Sequence, residues 1–331
     1  MSDIDRPGSA PAPSLAPASS PASAPPSPST FQTWLLAIRP ATLPAAASGV
    51  VVGIGAALAV GAPFRADTAL ACLAVALLLQ VLANLANDLS DFRKGADTPD
   101  RAGPTRVAAA GLVTERQLEI AIAVVIGLAG LVGLWLVAVG GLVILALGVL
   151  AIVAALAYTG GPFPYGYHAL GEVFVYVFFG LVAVVGTAYL QALRLEPMFY
   201  VAAIPPGALV TAILVVNNLR DIPTDTAAGK QTLAVLMGRG RTEMEYELLL
   251  AAAYAVPALM VLQLPSETAE PRQLAMSLPL LTFPLAIPLL RKVRRFVEPQ
   301  ELNAVLKGTA RLALAFSVLF AIGLAVAGIS V

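Results

Sequence analysis

Charge is scarce in this chain. Only 12% of its 331 residues are Asp, Glu, Lys or Arg, about half the share of a soluble domain. Twenty basic residues balance twenty acidic ones. That balance leaves no net field to draw in a polyanion, so no nucleic-acid partner is expected. There is one cysteine, Cys72, and one histidine, His168. A single cysteine excludes an intramolecular disulfide, and one of each excludes a Cys/His zinc site. What is abundant is apolar: 58% of the residues. Such a composition excludes an ordinary soluble globule and a disordered chain, and it implies a polytopic membrane protein.

Residues 1–30 differ from the rest. Pro, Ala and Ser supply 22 of these 30 residues, with no periodic apolar face. A segment like this cannot offset its ordering entropy, so a disordered tail is expected, with 31–331 as one transmembrane domain. Asp3 and Asp5 stand where a signal peptide would carry a basic cluster, and no apolar h-region follows.

Phe31–Arg39 reads as a short amphipathic helix at the membrane surface, with Trp34 as its anchor. About 20 apolar residues cross the hydrocarbon core. Nine such spans are predicted: 41–61, 67–87, 117–137, 139–158, 171–191, 198–218, 243–264, 272–291 and 308–330. Gly140-Gly141 separates the third from the fourth. The basic residues test the count. With the N-terminus in the cytoplasm, cytoplasmic segments carry 16 Lys and Arg and outer segments only Arg65, Arg194 and Arg272. A miscounted helix would scramble that asymmetry. The expected fold is all-α, a nine-helix bundle in the cell membrane, with the loops after spans 2 and 6 both cytoplasmic.

Those two loops begin with acidic motifs. Asn84, Asn87, Asp88 and Asp91 sit at i, i+3, i+4 and i+7, on one face of a helix. Asn217, Asp221 and Asp225 sit at i, i+4 and i+8, again one face if the helix survives Pro223. Carboxylate and amide oxygens without Cys or His suit a hard cation, Mg²⁺ first. Mg²⁺ keeps waters and takes substrate phosphates as further ligands. Lys94, Arg220 and Lys230 interleave with the carboxylates, and this pattern points to an Mg²⁺-bridged diphosphate. Topology alone accounts for most of the basic residues. It does not account for Asn84, Asn87, Asp88, Asn217 and Asn218, which lie in or at the edge of spans, where polar groups are costly and usually functional.

Several stretches resemble the UbiA superfamily of intramembrane prenyltransferases. They are Arg39-Pro-Ala-Thr-Leu-Pro44, Asn87-Asp88-x-x-Asp91-x-x-x-Gly95-x-Asp97, Tyr158-Thr-Gly-Gly-Pro162 with Gly171-Glu172, and Asn217-Asn-Leu-Arg-Asp221-x-x-x-Asp225-x-x-x-Gly229-Lys230. Within the superfamily, the chain is most similar to the 1,4-dihydroxy-2-naphthoate polyprenyltransferases of menaquinone synthesis. The resemblance covers about residues 33–330. It implies a nine-helix bundle around a central cavity, with a polyprenyl diphosphate and an aromatic acceptor as substrates. It implies further that Asn87, Asp91 and Asp97, with Asn218, Asp221 and Asp225, bind diphosphate through Mg²⁺. Asp88 fits the same signature, at the metal or behind it. Arg220 and Lys230 would contact diphosphate oxygens, and Lys94, Asn84 and Asn217 lie within the same motifs. Tyr158 is either an interfacial anchor or a ring that stabilises a carbocation, and the resemblance favours the second. Glu172 is either an acceptor-side residue or a cap at the start of a span. Some relatives carry a Lys soon after the Tyr-Thr-Gly-Gly stretch. Residues 160–170 here have neither Lys nor Arg.

Other acceptors remain open: 4-hydroxybenzoate, homogentisate or a sugar phosphate. A secondary transporter would also have many spans, but it would want ionisable groups near mid-bilayer rather than at one face. An alcohol phosphatidyltransferase would show an Asp-Gly, Ala-Arg and Gly-Asp-Asp series, which is absent. Nothing in the sequence points to a protein partner.

Overall fold

The computed structural model describes residues 28–95, 102–263 and 269–328. Residues 1–27 of the expected tail, and Asp97, lie outside the described residues.

Among the described residues the chain is helical, with no strand. Helix α1 (Thr30–Ile38) leads into α2 (Leu43–Ala59), α3 (Ala66–Arg93), α4 (Glu115–Gly140) and α5 (Leu142–Ala157). Then come α6 (Gly171–Ala192) and α7 (Pro197–Ala227), the short α8 (Leu233–Met237) and α9 (Arg239–Gln263). Helices α10 (Leu274–Arg295) and α11 (Pro299–Ala327) close the chain. Eight of these, with α1 and α2 counted together, are long and apolar enough to cross a bilayer, and α5 is a shorter apolar ninth. Each expected span falls on one of them.

The local boundaries follow from the sequence. Ser29 and Gln32 form a capping box that starts α1, and Arg39 ends it in a left-handed turn before Pro40. Thr114 and Gln117 start α4 in the same way. At Gly141 φ is +76°, a conformation that favours glycine, and here the α4–α5 hairpin turns.

The most deeply packed helices are α2, α7 and α11. Small residues let α2 approach two neighbours at once. A Cβ on Gly53 would stand 2.6 Å from the Val184 carbonyl of α6, and one on Gly55 would stand 2.5 Å from Ala321 Cα of α11. Helices α4 and α5 form the outer wall and turn leucines such as Leu131, Leu134 and Leu142 outward, as a lipid-facing surface requires.

Helix α7 runs nine residues past its expected end at 218. Proline removes a backbone donor at position 223, yet the helix continues. Thr224 Oγ1 donates to the Asp221 carbonyl (3.1 Å) and Thr226 Oγ1 donates to the Ile222 carbonyl (2.7 Å), so the two backbone acceptors just before the proline each have a hydroxyl partner. All of Asn217–Asp225 therefore sits on one helix.

Candidate active site

The two motif-bearing helix ends meet. Asp91, on the last turn of α3, and Asp225, on the last turn of α7, are both within reach of Lys230. Its Nζ is 3.5 Å from Asp91 Oδ1 and 3.6 Å from Asp225 Oδ1. Lys230 follows directly from α7, where its N–H bonds to the Asp225 carbonyl at 2.9 Å. These groups stand at one end of a cavity of about 510 Å³, whose remaining wall is mainly apolar side chains of α2 to α7. Asn84, Asn87, Asp91, Tyr158, Asn217, Asn218, Asp221, Asp225 and Lys230 all line it.

Asp91 is tied to several neighbours. It is buried, and its Oδ2 accepts from Arg106 Nη2 at 2.9 Å, while its Oδ1 accepts from the Tyr167 hydroxyl at 2.7 Å. Arg106 arrives on the loop that returns from α3 to α4. Val107, Ala108 and Val113 anchor that loop on Leu85, Leu89 and Leu118.

Tyr167 joins the halves of the site. Its ring lies under two ammonium groups, Lys94 Nζ at 4.5 Å and Lys230 Nζ at 4.7 Å. Its carbonyl accepts from Gln231 N–H at 3.0 Å, which ties the α5–α6 loop to the segment after α7. Burial first, and the Asp91 carboxylate second, hold its phenol well above the usual range, so it remains a donor to Asp91. Burial also lowers the Lys94 ammonium, against the attraction of Asp91. Lys94 is fixed by donating to the Thr159 carbonyl at 2.6 Å. Two ammonium groups, Lys94 and Lys230, thus stand beside a loop that itself carries neither Lys nor Arg over 160–170. His168 does not supply one: it is exposed, stacked on Phe163, with Nδ1 3.0 Å from the Pro164 carbonyl.

Other motif residues are spent on their neighbours. Asp88 Oδ2 accepts from Val107 N–H at 3.1 Å and so anchors the returning loop; Asp88 is not among the cavity-lining residues. Arg220 is 1% exposed and is likewise not among them. Its guanidinium makes two bonds to Asp221 (2.8 and 2.7 Å) and one each to Asn217 Oδ1 and Asn303 Oδ1 (both 2.8 Å). The structure therefore sets Arg220 behind the ladder, as the group that orients Asp221 and Asn217. Asn84 lines the cavity, and its Nδ2 donates to the Ile38 carbonyl at 2.8 Å, which holds the α1–α2 elbow. Asn87 Oδ1 accepts from Thr159 Oγ1 at 2.9 Å. Asn218 Nδ2 donates to Glu172 Oε1 at 2.9 Å. The Tyr158 and Tyr165 rings meet in a T-shaped pair, with centroids 5.3 Å apart. Gly166 and Gly171 leave room beside the Tyr158 ring, since a Cβ on either would touch it.

Tyr167, Arg106 and Thr159 are among the cavity residues that spacing rules do not single out. Tyr167 lies in a loop without helical periodicity, and Arg106 lies among basic residues that topology already accounts for. Among the described residues, no three His, Cys, Asp or Glu side chains converge into a closed metal cage. The donors at the cavity mouth are oxygens from Asp and Asn. They fit a hard cation that takes part of its shell from water and phosphate.

Fold and site define a class: a multi-pass membrane bundle with a mainly apolar cavity that carries carboxylates and Lys230 at one end. The sequence matches the UbiA prenyltransferase family over residues 48–305. The chain belongs to that family, and it is a membrane prenyltransferase. Among its relatives, the 1,4-dihydroxy-2-naphthoate octaprenyltransferase of Mycobacterium tuberculosis is 44% identical over 237 residues, 72% of this chain and 80% of that one. The protein of the same name from Escherichia coli is 39% identical, over 89% of this chain and 96% of that one. In fold, the chain is similar to a UbiA homolog from Aeropyrum pernix K1, with a TM-score of 0.62 at 18% identity, covering 84% and 96% of the two chains. It is also similar to one from Archaeoglobus fulgidus bound to GPP and Mg²⁺, with a TM-score of 0.60 at 15% identity, covering 90% and 100%.

Proposed function

We propose that this protein transfers a polyprenyl group from polyprenyl diphosphate to 1,4-dihydroxy-2-naphthoate, with Mg²⁺, releasing diphosphate and CO₂. The observation that carries the reading is the meeting of Asp91, Asp225 and Lys230 at the polar end of an otherwise apolar cavity. The names of the relatives support the acceptor.

Asp91, Asp225 and Asn87, with Asp221 and Asn218 beside them, would hold the metal. The chemistry supplied by bound Mg²⁺ is neutralisation of the diphosphate as its bond to the allylic carbon breaks. Lys230 and Lys94 meet the non-bridging oxygens, so the electron pair of the breaking C–O bond departs with a stabilised leaving group. Tyr167 keeps both lysines and Asp91 in register. Arg220 does the same for Asp221 and Asn217. The allylic cation that remains faces apolar side chains, which exclude water from it, and the Tyr158 ring stabilises it. A ring carbon of the naphthoate attacks it, and loss of CO₂ and a proton restores aromaticity. Both motifs face the cytoplasm in this reading, supported by the 16-to-3 split of basic residues.

The test is an assay of the purified protein in lipid. It needs labelled polyprenyl diphosphate, Mg²⁺ and four acceptors: the dihydroxynaphthoate, 4-hydroxybenzoate, homogentisate and a sugar phosphate. Prenylated product and CO₂ are expected from the naphthoate alone. Preferred transfer to another acceptor would replace the naphthoate, and transfer to none would remove the proposal.

A further inference from the structure

Glu172 is a carboxylate that the proposed reaction leaves unused. It stands on the first turn of α6, at the edge of the membrane, and is 6% exposed. A buried carboxylate there is costly and usually functional. It is not among the residues lining the cavity, so it stands behind the wall rather than beside an acceptor. Its Oε1 accepts from Asn218 Nδ2 at 2.9 Å, across to α7. Close packing of the two helices maintains that contact. A Cβ on Gly171 would stand 3.3 Å from Leu214 Cδ2, one turn before Asn218, and one on Gly180 would stand 2.8 Å from Gly207 Cα. The first turn of α6 is thus held against α7.

Asn218 does line the cavity. The two ends of its amide are nearly equal in size and opposite in sense: Nδ2 donates and Oδ1 accepts. A carboxylate only accepts, so Glu172 takes the Nδ2 end and leaves Oδ1 to the cavity. Among the described residues nothing donates to that oxygen. The neighbouring amides are held differently. Asn217 Oδ1 is taken by Arg220 Nη2 at 2.8 Å. Asn87 Oδ1 meets the Thr159 hydroxyl, a group that can donate or accept and therefore fixes neither end. We propose that Glu172 is a positioning residue. It locks the Asn218 amide with its oxygen toward the hard cation of the diphosphate complex, and so raises metal affinity without touching metal or substrate. The inference rests on the metal-diphosphate part of the function proposed above.

Metal binding without turnover tests it. The probe is Mn²⁺, followed by electron paramagnetic resonance, with the protein in lipid and the unreactive S-thiolo analogue of geranyl diphosphate present. Glu172→Gln keeps the size but lets the side chain donate as well as accept, so the Asn218 amide can turn its Nδ2 toward the cation. Mn²⁺ affinity is expected to fall by about 10- to 100-fold, with the melting temperature little changed. Glu172→Gln combined with Asn218→Asp should restore the affinity to within about threefold of wild type, because a carboxylate offers an oxygen in either orientation. Asn218→Asp alone sets two carboxylates face to face and should melt below the double variant. Unchanged Mn²⁺ affinity in Glu172→Gln, or no recovery in the double variant, would overturn the proposal. So would a double variant that melts no higher than Asn218→Asp alone. If the wild type bound no Mn²⁺ beside the analogue, the metal reading of the site would fall, and the role of Glu172 with it.

Discussion

Lys230 Nζ stands 3.5 Å from Asp91 Oδ1, across 139 residues of sequence and between two helices that make their own way through the bundle. The same ammonium reaches Asp225, so one cation holds together the carboxylates on which the proposed leaving-group chemistry depends. In the proposed reaction the lysine would turn to diphosphate oxygens and the two carboxylates would hold the metal.

Lys230→Met should therefore damage catalysis more than folding. Asp91 keeps Arg106 and the Tyr167 hydroxyl, so the melting temperature should change little. Loss of a cation from the leaving group should lower kcat by about 10²-fold. Single-turnover prenyl transfer alongside a thermal melt separates the two effects, and unfolding without loss of rate in the folded fraction would refute the role.

Tyr167 has two jobs that substitutions can divide. Tyr167→Phe keeps the ring under Lys94 and Lys230 and removes only the hydrogen bond to Asp91, at a cost of about 1.5–3 kcal/mol for a charged acceptor. Tyr167→Leu removes both. Turnover should drop about tenfold or more in the first and further in the second. Equal rates in the two variants would show that the ring contributes nothing.

Arg220 should announce itself in stability. Arg220→Met strands Asp221 buried without its guanidinium, which costs about 3–5 kcal/mol. Arg220→Lys should rescue only part of that, because an ammonium cannot make the paired bonds. The double variant Arg220→Met with Asp221→Leu removes both charges and should melt higher than Arg220→Met alone. A double variant no more stable than the single one would refute the pairing.

Gly55 should not tolerate even a methyl group. A Cβ there would lie 2.5 Å from Ala321 Cα, a backbone atom that cannot step aside. Gly55→Ala should cost about 1–3 kcal/mol from overpacking, while Gly127→Ala, with open space around it, should be neutral or stabilising. Melting temperatures in one detergent or lipid decide this.

Much of the fold was legible because the bilayer imposes long apolar runs and basic residues mark one side. The break at Gly140-Gly141 and the same-face ladders at Asp91 and Asp225 could be read from local chemistry. What periodicity could not reveal was direction across the chain. Asp88 obeys the same helical spacing as Asp91, yet it turns to Val107 N–H because a distant loop folds back beneath it. Arg220 follows the ladder in sequence but lies behind it, drawn by Asn303, 83 residues away. Tyr167 had no periodic neighbours to mark it. Its place depends on the segment after α7 pairing with its loop, which is a tertiary event. The continuation of α7 through Pro223 also went beyond what a proline rule allows from sequence.

The most direct measurement is prenyl transfer by Asp91→Asn and Asp225→Asn across a Mg²⁺ titration, with thermal melts on the same samples. Asn keeps the size and the capacity to accept a hydrogen bond, and removes the charge. If the carboxylates hold metal on the diphosphate, kcat falls by about 10²–10³-fold, and the Mg²⁺ needed for half-maximal rate rises. If they only brace their helix ends, the variants lose about 1 kcal/mol of stability and little rate. Near-wild-type turnover at low Mg²⁺ in both variants would contradict diphosphate chemistry at this end of the bundle.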